Sequence, residues 1–291
     1  MNDRTTPRPR RSVLYMPGAN DRALEKAKTL PTDALILDLE DSVAPDAKAD
    51  ARKRVAEAAA SGEYGYREVT IRVNAPGTPW HADDVKAAAE AAPDAVVVPK
   101  VDSPETVREV EAALVRAGAP DRTAIWAMIE TPRAVFAAAA IAAASPRLTV
   151  LVMGTNDLAK ELRAEHVPGR APLLTGLSLA LLAARASGKA VLDGVYNDVR
   201  DLPGFEAETR QARQLGFDGK TLIHPTQLEP CNRIFAPAQE EIDRSRRIVE
   251  AFEEATSQGR GVVTVDGRMI ENLHVEEARR VLALAEAVAG R

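Results

Sequence analysis

Cysteine is nearly absent: Cys231 stands alone among 291 residues. No intrachain disulfide can form, and a chain this long buries enough apolar surface to fold without one. A reducing compartment, and so a cytoplasmic protein, is the simple expectation. Long apolar runs are also missing. The oiliest stretches, 134–144 and 177–184, fall short of the ~20 residues a spanning helix needs. The first residues lack the apolar core of a secretory signal. There is no HExxH, no Cys/His cluster and no Walker loop, which argues against the common zinc and P-loop chemistries. His81, His166 and His274 read as surface or packing residues. An excess of positive charge is lacking too, since 38 Lys and Arg against 43 Asp and Glu leave a net charge of −5. That argues against a nucleic-acid partner. The one basic cluster, Arg4, Arg8, Arg10 and Arg11, is interleaved with Thr and Pro and reads as a solvated, flexible arm over residues 1–10.

What the chain does have is rhythm. Short apolar runs recur at 12–17, 34–40, 69–74, 95–100, 124–130, 148–154, 191–196 and 218–224. Most are continuous rather than alternating, which suits strands buried on both faces of a parallel sheet. Helical stretches separate them. Residues 20–30 open on Asn20 as a cap. Residues 103–118 carry Ser103 as cap, Pro104 in the first turn and Gly118 as terminator, and 131–144 begin in the same way with Thr131 and Pro132. The alternation predicts a (β/α)8 barrel over 11–235, a span close to the ~250 residues typical of that fold. An open doubly wound sheet is the rival, weakened by the lack of GxGxxG after any early strand. Residues 236–291 break the rhythm. They read as a helix, a hairpin turning at Asp266-Gly267 and a final helix, an extension that covers the barrel mouth or docks on a neighbouring subunit.

Barrel active sites form at the C-terminal ends of the strands. Those ends hold Asp38, Glu40 and Asp41, then Arg72 and Asn74, Lys100, Glu130, the run Gly154-Thr155-Asn156-Asp157, Asn197 and Asp198, and finally Lys220 and His224. Glu130 is the telling case: an oily run, AIWAMI, carries a carboxylate at its tip. A carboxylate placed there needs a cation. Glu130 and Asp157 come from neighbouring strands and would share one hard ion, Mg2+ before others, with open positions for water or substrate. Blander roles stand beside this one. Asp157 could cap a helix, Glu130 could pair with Arg133 or Arg147, and Arg72 could merely neutralise the acids at 38–41.

The stretches RSVLYMPGAN, LILDLEDSVAPDAKADAR, IRVN, VVVPK, MIETPRA, MGTNDLA, KTLIHPTQ and GRMIENLHVEEAR, taken in order, resemble the citrate lyase β-subunit-like branch of the HpcH/HpaI aldolase family. That branch includes malyl-CoA, β-methylmalyl-CoA and citramalyl-CoA lyases. The resemblance implies a TIM barrel with a C-terminal lid, assembled as a homotrimer or hexamer. It implies a Mg2+-dependent carbon–carbon lyase, with Mn2+ as substitute metal, that releases an acyl-CoA and a 2-keto acid from a 3-hydroxyacyl-CoA. Residue by residue, it implies Glu130 and Asp157 as metal ligands and Arg72 as the contact to the reacting carbonyls. Tyr15 and Lys26 match coenzyme A contacts, and Glu40 and Asp41 stand where the family holds metal-bound waters. The backbone around Gly154, Thr155 and Asn156, at a helix N-terminus, would receive the substrate carboxylate. In several family members the lid carries Met-Ile-Asp, whose Asp, supplied by a neighbouring subunit, handles the acetyl proton. Here the motif is Met269-Ile270-Glu271, so Glu271 is the candidate acid/base, one methylene longer. Two alternatives stay open: a citrate lyase β-subunit working with an acyl-carrier protein, and a non-catalytic protein that binds 2-keto acids or CoA.

Overall fold

The structure is a computed structural model and describes residues 8–259 and 261–290. It divides into two compact units, one spanning Arg10–Asn232 and the other holding the C-terminal segment from Arg233.

The first unit is the expected closed barrel of eight parallel strands, each paired with its sequence neighbours and β1 with β8. The strands are β1 (Ser12–Pro17), β2 (Ala34–Asp38), β3 (Glu68–Arg72), β4 (Ala95–Val98), β5 (Ala124–Ile129), β6 (Leu148–Met153), β7 (Ala190–Asp193) and β8 (Gly219–Leu222). Helices alternate with them: α1 (Asp21–Ala27), α2 (Lys48–Ala60), α3 (His81–Ala91), α4 (Pro104–Arg116), α5 (Pro132–Ala142), α6 (Thr155–Leu162), α7 (Leu174–Ala186), α8 (Leu202–Leu215) and α9 (Leu228–Phe235). The caps read from the sequence operate. Asn20, Ser103 and Thr131 each accept a backbone N–H from the first turn of the helix they open, and Pro fits at the start of α4 and α5 because no N–H is needed there.

Strand residues two apart share a face, and that period builds the barrel interior. Val13 and Tyr15, Ala34 and Ile36, Ala95 and Val97, Trp126 and Met128, Val150 and Val152 pack into one cluster with Leu192. The next inward position on several strands is polar or lacks a side chain: Asp38 after Ile36, Glu130 after Met128, Gly154 after Val152. The site is therefore the top layer of the packed interior.

Most strands stop short of their polar tips. β5 ends at Ile129, so Glu130 is the single residue between strand and the cap of α5. The N-terminal end of the barrel is sealed by ion pairs. Arg10 forks onto Glu68 at 2.6 and 2.8 Å, and Arg11 onto Asp33 at 2.9 Å. The reading of a free basic arm therefore does not extend to Arg10 and Arg11, because buried carboxylates hold both. Arg4 lies outside the described residues.

The second unit contains α10 (Gln239–Ser257), an antiparallel hairpin of β9 (Val263–Val265) and β10 (Arg268–Ile270), and α11 (Asn272–Ala289). Its small core is Ile248, Ile270, Val275 and Ala278. Asp266 and Gly267 turn the hairpin with φ of 51° and 74°, the conformation that Asp-Gly tolerates best. Glu271 is the exposed N-cap of α11, and its N–H donates to His274 Nδ1 at 3.0 Å. Among the described residues no helix is long and apolar enough to cross a membrane.

Candidate active site

A cavity of 360 Å3 opens at the C-terminal end of the barrel. Its polar lining comes from Tyr15, Asp38, Asp41, Arg72, Glu130 and the run Gly154–Asp157, and its apolar lining includes Met128, Met153, Val195 and Ile223. A few convergent polar groups in an apolar frame are the usual anatomy of a small-molecule site.

Glu130 is buried, with 2% exposure. Its Oε1 accepts the backbone N–H of Lys100 at 2.6 Å, the one hydrogen bond it makes among the described residues. It also packs against bare backbone. A Cβ built on Gly154 would stand 2.3 Å from Glu130 Oε2 and 2.4 Å from Glu130 Cβ, so the glycine is a steric requirement. Burial pushes the Glu130 carboxyl up to about 7, and the Asp157 charge adds to the shift, while the Lys100 amide and the Lys100 and Arg72 charges oppose it. Arg147 does not neutralise Glu130; it serves Asp121 and the backbone carbonyls of Pro120 and Thr123.

Arg72 is the centre of a second cluster. Its Nε and Nη2 fork onto the carboxylate of Asp38 at 2.7 and 2.8 Å, and its Nη1 meets Glu40 Oε2 at 2.6 Å and Asp41 Oδ2 at 3.4 Å. Its guanidinium lies over the Tyr15 ring, 4.9 Å from the centroid. Burial works against its charge, but Asp38 and the other acids hold it protonated well above its ordinary range. Burial alone would raise the Asp38 carboxyl; Arg72, with hydrogen bonds from Ser42 and the Glu40 N–H, brings it below the usual value. Glu40 behaves differently. Burial pushes it up to about 7, Arg72 only partly offsets this, and the charges of Asp41, Glu130 and Asp38 add to it. Tyr15 is half-buried, and desolvation raises its phenol.

Asp157 lies in the first turn of α6 and is not its cap. The cap position is Gly154, which offers no side chain. Asp157 Oδ1 instead accepts from Lys100 Nζ at 3.0 Å. Thr155 Oγ1 is buried without a hydrogen-bond partner among the described residues, pressed so close to Gly194 that a Cβ there would stand 2.3 Å away. Asn156 exchanges side-chain hydrogen bonds of 3.0 and 2.7 Å with Asn197, which ties the start of α6 to the loop after β7.

Other residues expected at the strand tips are elsewhere. Lys220 is fully buried and pairs with Asp193 at 2.7 Å and Glu208 at 2.8 Å, in a network that also takes in Arg170. It comes early in β8, too far from the tip to reach the mouth. His224 is exposed and caps the short turn after β8. Asn74 braces the loop by donating to Leu39 O and Asp84. Lys26 is exposed on α1 and does not line the cavity. Sequence reasoning missed Lys100 as the partner of both Glu130 and Asp157, and the wall residues Met128, Thr221 and Ile223. The period of two could have found the walls, since Met128 precedes Glu130 by two positions and Thr221 and Ile223 share a face.

Among the described residues no group of three or more His, Cys, Asp or Glu side chains could hold a metal. Glu130 and Asp157, both in contact with Lys100 and both lining the cavity, are the carboxylates that could hold a cation here, with water or substrate oxygens completing its shell. That donor set fits Mg2+, which commonly takes one or two carboxylates.

A family model described as HpcH/HpaI aldolase/citrate lyase matches residues 11–225. The chain is 51% identical over 281 residues to a (3S)-malyl-CoA thioesterase of Cereibacter sphaeroides, covering 97% of this chain and 96% of that protein. It is 39% identical to the citrate lyase subunit beta of Escherichia coli, covering 96% of this chain and 94% of that one. Among solved structures it is similar to protein CitE from Mycobacterium tuberculosis in complex with magnesium, acetoacetate and coenzyme A. The TM-score is 0.77 at 31% identity, covering 94% of this chain and 97% of that chain. Matched along nearly its whole length and folded as the family's barrel, this chain belongs to the HpcH/HpaI aldolase/citrate lyase family.

Proposed function

We propose that this protein is a Mg2+-dependent acyl-CoA lyase that cleaves a 3-hydroxyacyl-CoA of the malyl-CoA type into an acyl-CoA and a 2-keto acid. The observation that carries this reading is the uncompensated negative charge of the cavity. Among the described residues Asp38, Glu40, Asp41, Glu130 and Asp157 form ion pairs with Arg72 and Lys100 alone, and Glu130 and Glu40 are both pushed up to about 7, by burial first and by the neighbouring acids in addition. Such a site stores an unfavourable repulsion that a divalent cation removes. Glu130 and Asp157 would hold the ion. Bound there, Mg2+ supplies Lewis-acid polarisation of the substrate's hydroxyl and carboxylate oxygens.

The chain's own groups account for the rest. Asp38 fixes the Arg72 fork and keeps it charged, so Arg72 is preorganised to stabilise negative charge as it develops on the thioester oxygen. The N–H groups that open α6, at Thr155, Asn156 and Asp157, form an anion-binding end for the substrate carboxylate. Tyr15 lies under Arg72 and would meet the thioester end of the ligand, with Lys26 reserved for the distal part of coenzyme A. Glu40 and Asp41 would hold water against the ion. Glu271, from a second copy of the chain in a trimer or hexamer, would return a proton to the enolate carbon.

A second reading is favoured by the similarity to the (3S)-malyl-CoA thioesterase: the same site would bind the same ester but break its carbon–sulfur bond with water. One assay separates the two. The purified protein is given (3S)-malyl-CoA, β-methylmalyl-CoA, citramalyl-CoA or citryl-CoA, with Mg2+ or with chelator, while 2-keto acid and free thiol are followed together. Keto acid without thiol supports the lyase; thiol without keto acid supports hydrolysis. Silence toward all four esters in the presence of Mg2+ overturns both.

A further inference from the structure

Lys100 has a left-handed backbone, with φ of 52°. Few non-glycine residues adopt this conformation, and those that do tend to mark turns or functional sites. The four comparable residues among those described have local reasons. Ala92 and Arg163 close α3 and α6, Arg170 ends the short 3-10 turn Pro168–Arg170, and Asp266 turns the hairpin. Lys100 closes no helix and no hairpin. What its conformation achieves is a double contact. Its backbone N–H reaches Glu130 Oε1 at 2.6 Å while its Nζ reaches Asp157 Oδ1 at 3.0 Å. One residue after β4 thus touches the carboxylates that follow β5 and open α6.

We propose that Lys100 is the positioning residue of the metal site and the counterion that the metal displaces. Its amide fixes Glu130, and its ammonium holds Asp157 in place until a divalent cation takes over that oxygen. The inference rests on the proposed assignment of Glu130 and Asp157 as ligands. The physical reason is competition. Asp157 carries one negative charge for the ammonium and the metal to share, so metal binding at this carboxylate works against the Lys100–Asp157 pair. The side chain is 45% exposed, so the ammonium can swing to solvent, or toward an entering anionic substrate, without leaving a buried orphan charge. Lys100 therefore weakens metal binding to the substrate-free protein while keeping both ligands aligned for it.

The test is calorimetric titration of the full chain with magnesium chloride. Lys100→Asn is the primary variant, because Asn tolerates the left-handed backbone and removes the charge. Lys100→Met is a second charge-removing variant in case the first does not fold, and Lys100→Arg keeps the charge. Both neutral variants should bind Mg2+ about fivefold more tightly than wild type, the size of one partly exposed ion pair, and Lys100→Arg should stay within about twofold of it. The metal-free melting temperature of the neutral variants should fall below that of wild type, and the gap should close at saturating Mg2+. A merely structural lysine would leave the gap unchanged by metal and would not tighten binding. Glu130→Gln in the same titration separates the two levels of the claim. If wild type binds no Mg2+, or Glu130→Gln binds as well as wild type, the proposed metal site fails and this inference with it. If Glu130→Gln loses binding but both neutral Lys100 variants match wild type or bind more weakly, the metal site stands and the role of Lys100 is overturned.

Discussion

Glu130→Gln should stabilise the metal-free protein at alkaline pH even as it removes metal binding. The replacement keeps the shape that fits against Gly154, and its amide oxygen can still accept the Lys100 N–H. What it removes is a buried charge. The Glu130 carboxyl stands at about 7 in the native state against an ordinary value of 4.5, raised first by burial and then by Asp157. Between those values the native state holds a proton that the unfolded chain has released. Native stability is therefore greatest below the unfolded value and declines as pH rises through the window. At ~1.4 kcal/mol per pKa unit, the loss is about 3 kcal/mol by pH 8 and under about 1 kcal/mol at pH 5. Gln escapes it, and by removing one acid it also eases the upward push on Glu40, which feels the Glu130 charge. Urea denaturation in chelator at pH 5 and pH 8 reads the difference directly. Adding Mg2+ should then stabilise wild type and leave the variant unmoved. A stability difference independent of pH, or a wild type more stable than Glu130→Gln at pH 8 without metal, would refute the claim that Glu130 is held as a costly charge awaiting a cation.

Gly154→Ala places a methyl group 2.3 Å from Glu130 Oε2; overpacking of this kind should cost about 1–3 kcal/mol in urea denaturation and abolish turnover by turning the carboxylate away. Arg72→Lys keeps the charge but loses the fork onto Asp38 and the contact to Glu40; kcat/KM should fall by roughly 100-fold or more, and near-normal kcat/KM would exclude Arg72 from charge stabilisation. Lys220→Met strands Asp193 in a fully buried position with Arg170 alone; stability should drop by about 3–5 kcal/mol while the calorimetric Mg2+ affinity of the folded protein is unchanged. Glu271→Gln should suppress carbon–carbon cleavage and leave any thioester hydrolysis intact, because only the former needs a proton delivered to an enolate carbon; equal loss of both, followed as keto acid and thiol, would place Glu271 in binding instead.

The barrel was legible because its signals are local. Continuous apolar runs, caps such as Ser103 and Thr131, and first-turn prolines each act within a few residues. The candidate site was legible for a related reason: a period of two carries Trp126 and Met128 into Glu130, and Val150 and Val152 into Gly154. What the sequence could not express is distance between strands. Lys220 reads like another strand-tip residue, but it comes early in a short β8, and Asp193 and Glu208 claim it. Asp38 reads as one acid among several; only the closed barrel sets it opposite Arg72, where β2 and β3 pair in register at these two residues. The left-handed turn at Lys100 has no sequence mark at all, since Lys is not a residue that favours it.

The same limit applies to the choice of bond. Under the proposed function both cleavages would begin from one bound state, with the thioester oxygen toward Arg72 and the carboxylate at the start of α6. They would diverge in what the site's bases act on, the substrate hydroxyl for carbon–carbon cleavage and a water molecule for hydrolysis, and in the proton that the former alone must deliver to an enolate carbon. Glu40 meets Arg72 Nη1 at 2.6 Å but is pushed by burial up to about 7, so in the proposed site it would exchange a proton near neutrality and suit either role. Its neighbour Asp38, drawn below the usual range by the same arginine, suits neither. Under that reading the residues that bind the ester are shared, and Glu271, which carbon–carbon cleavage alone would need, is the group that tells the two chemistries apart.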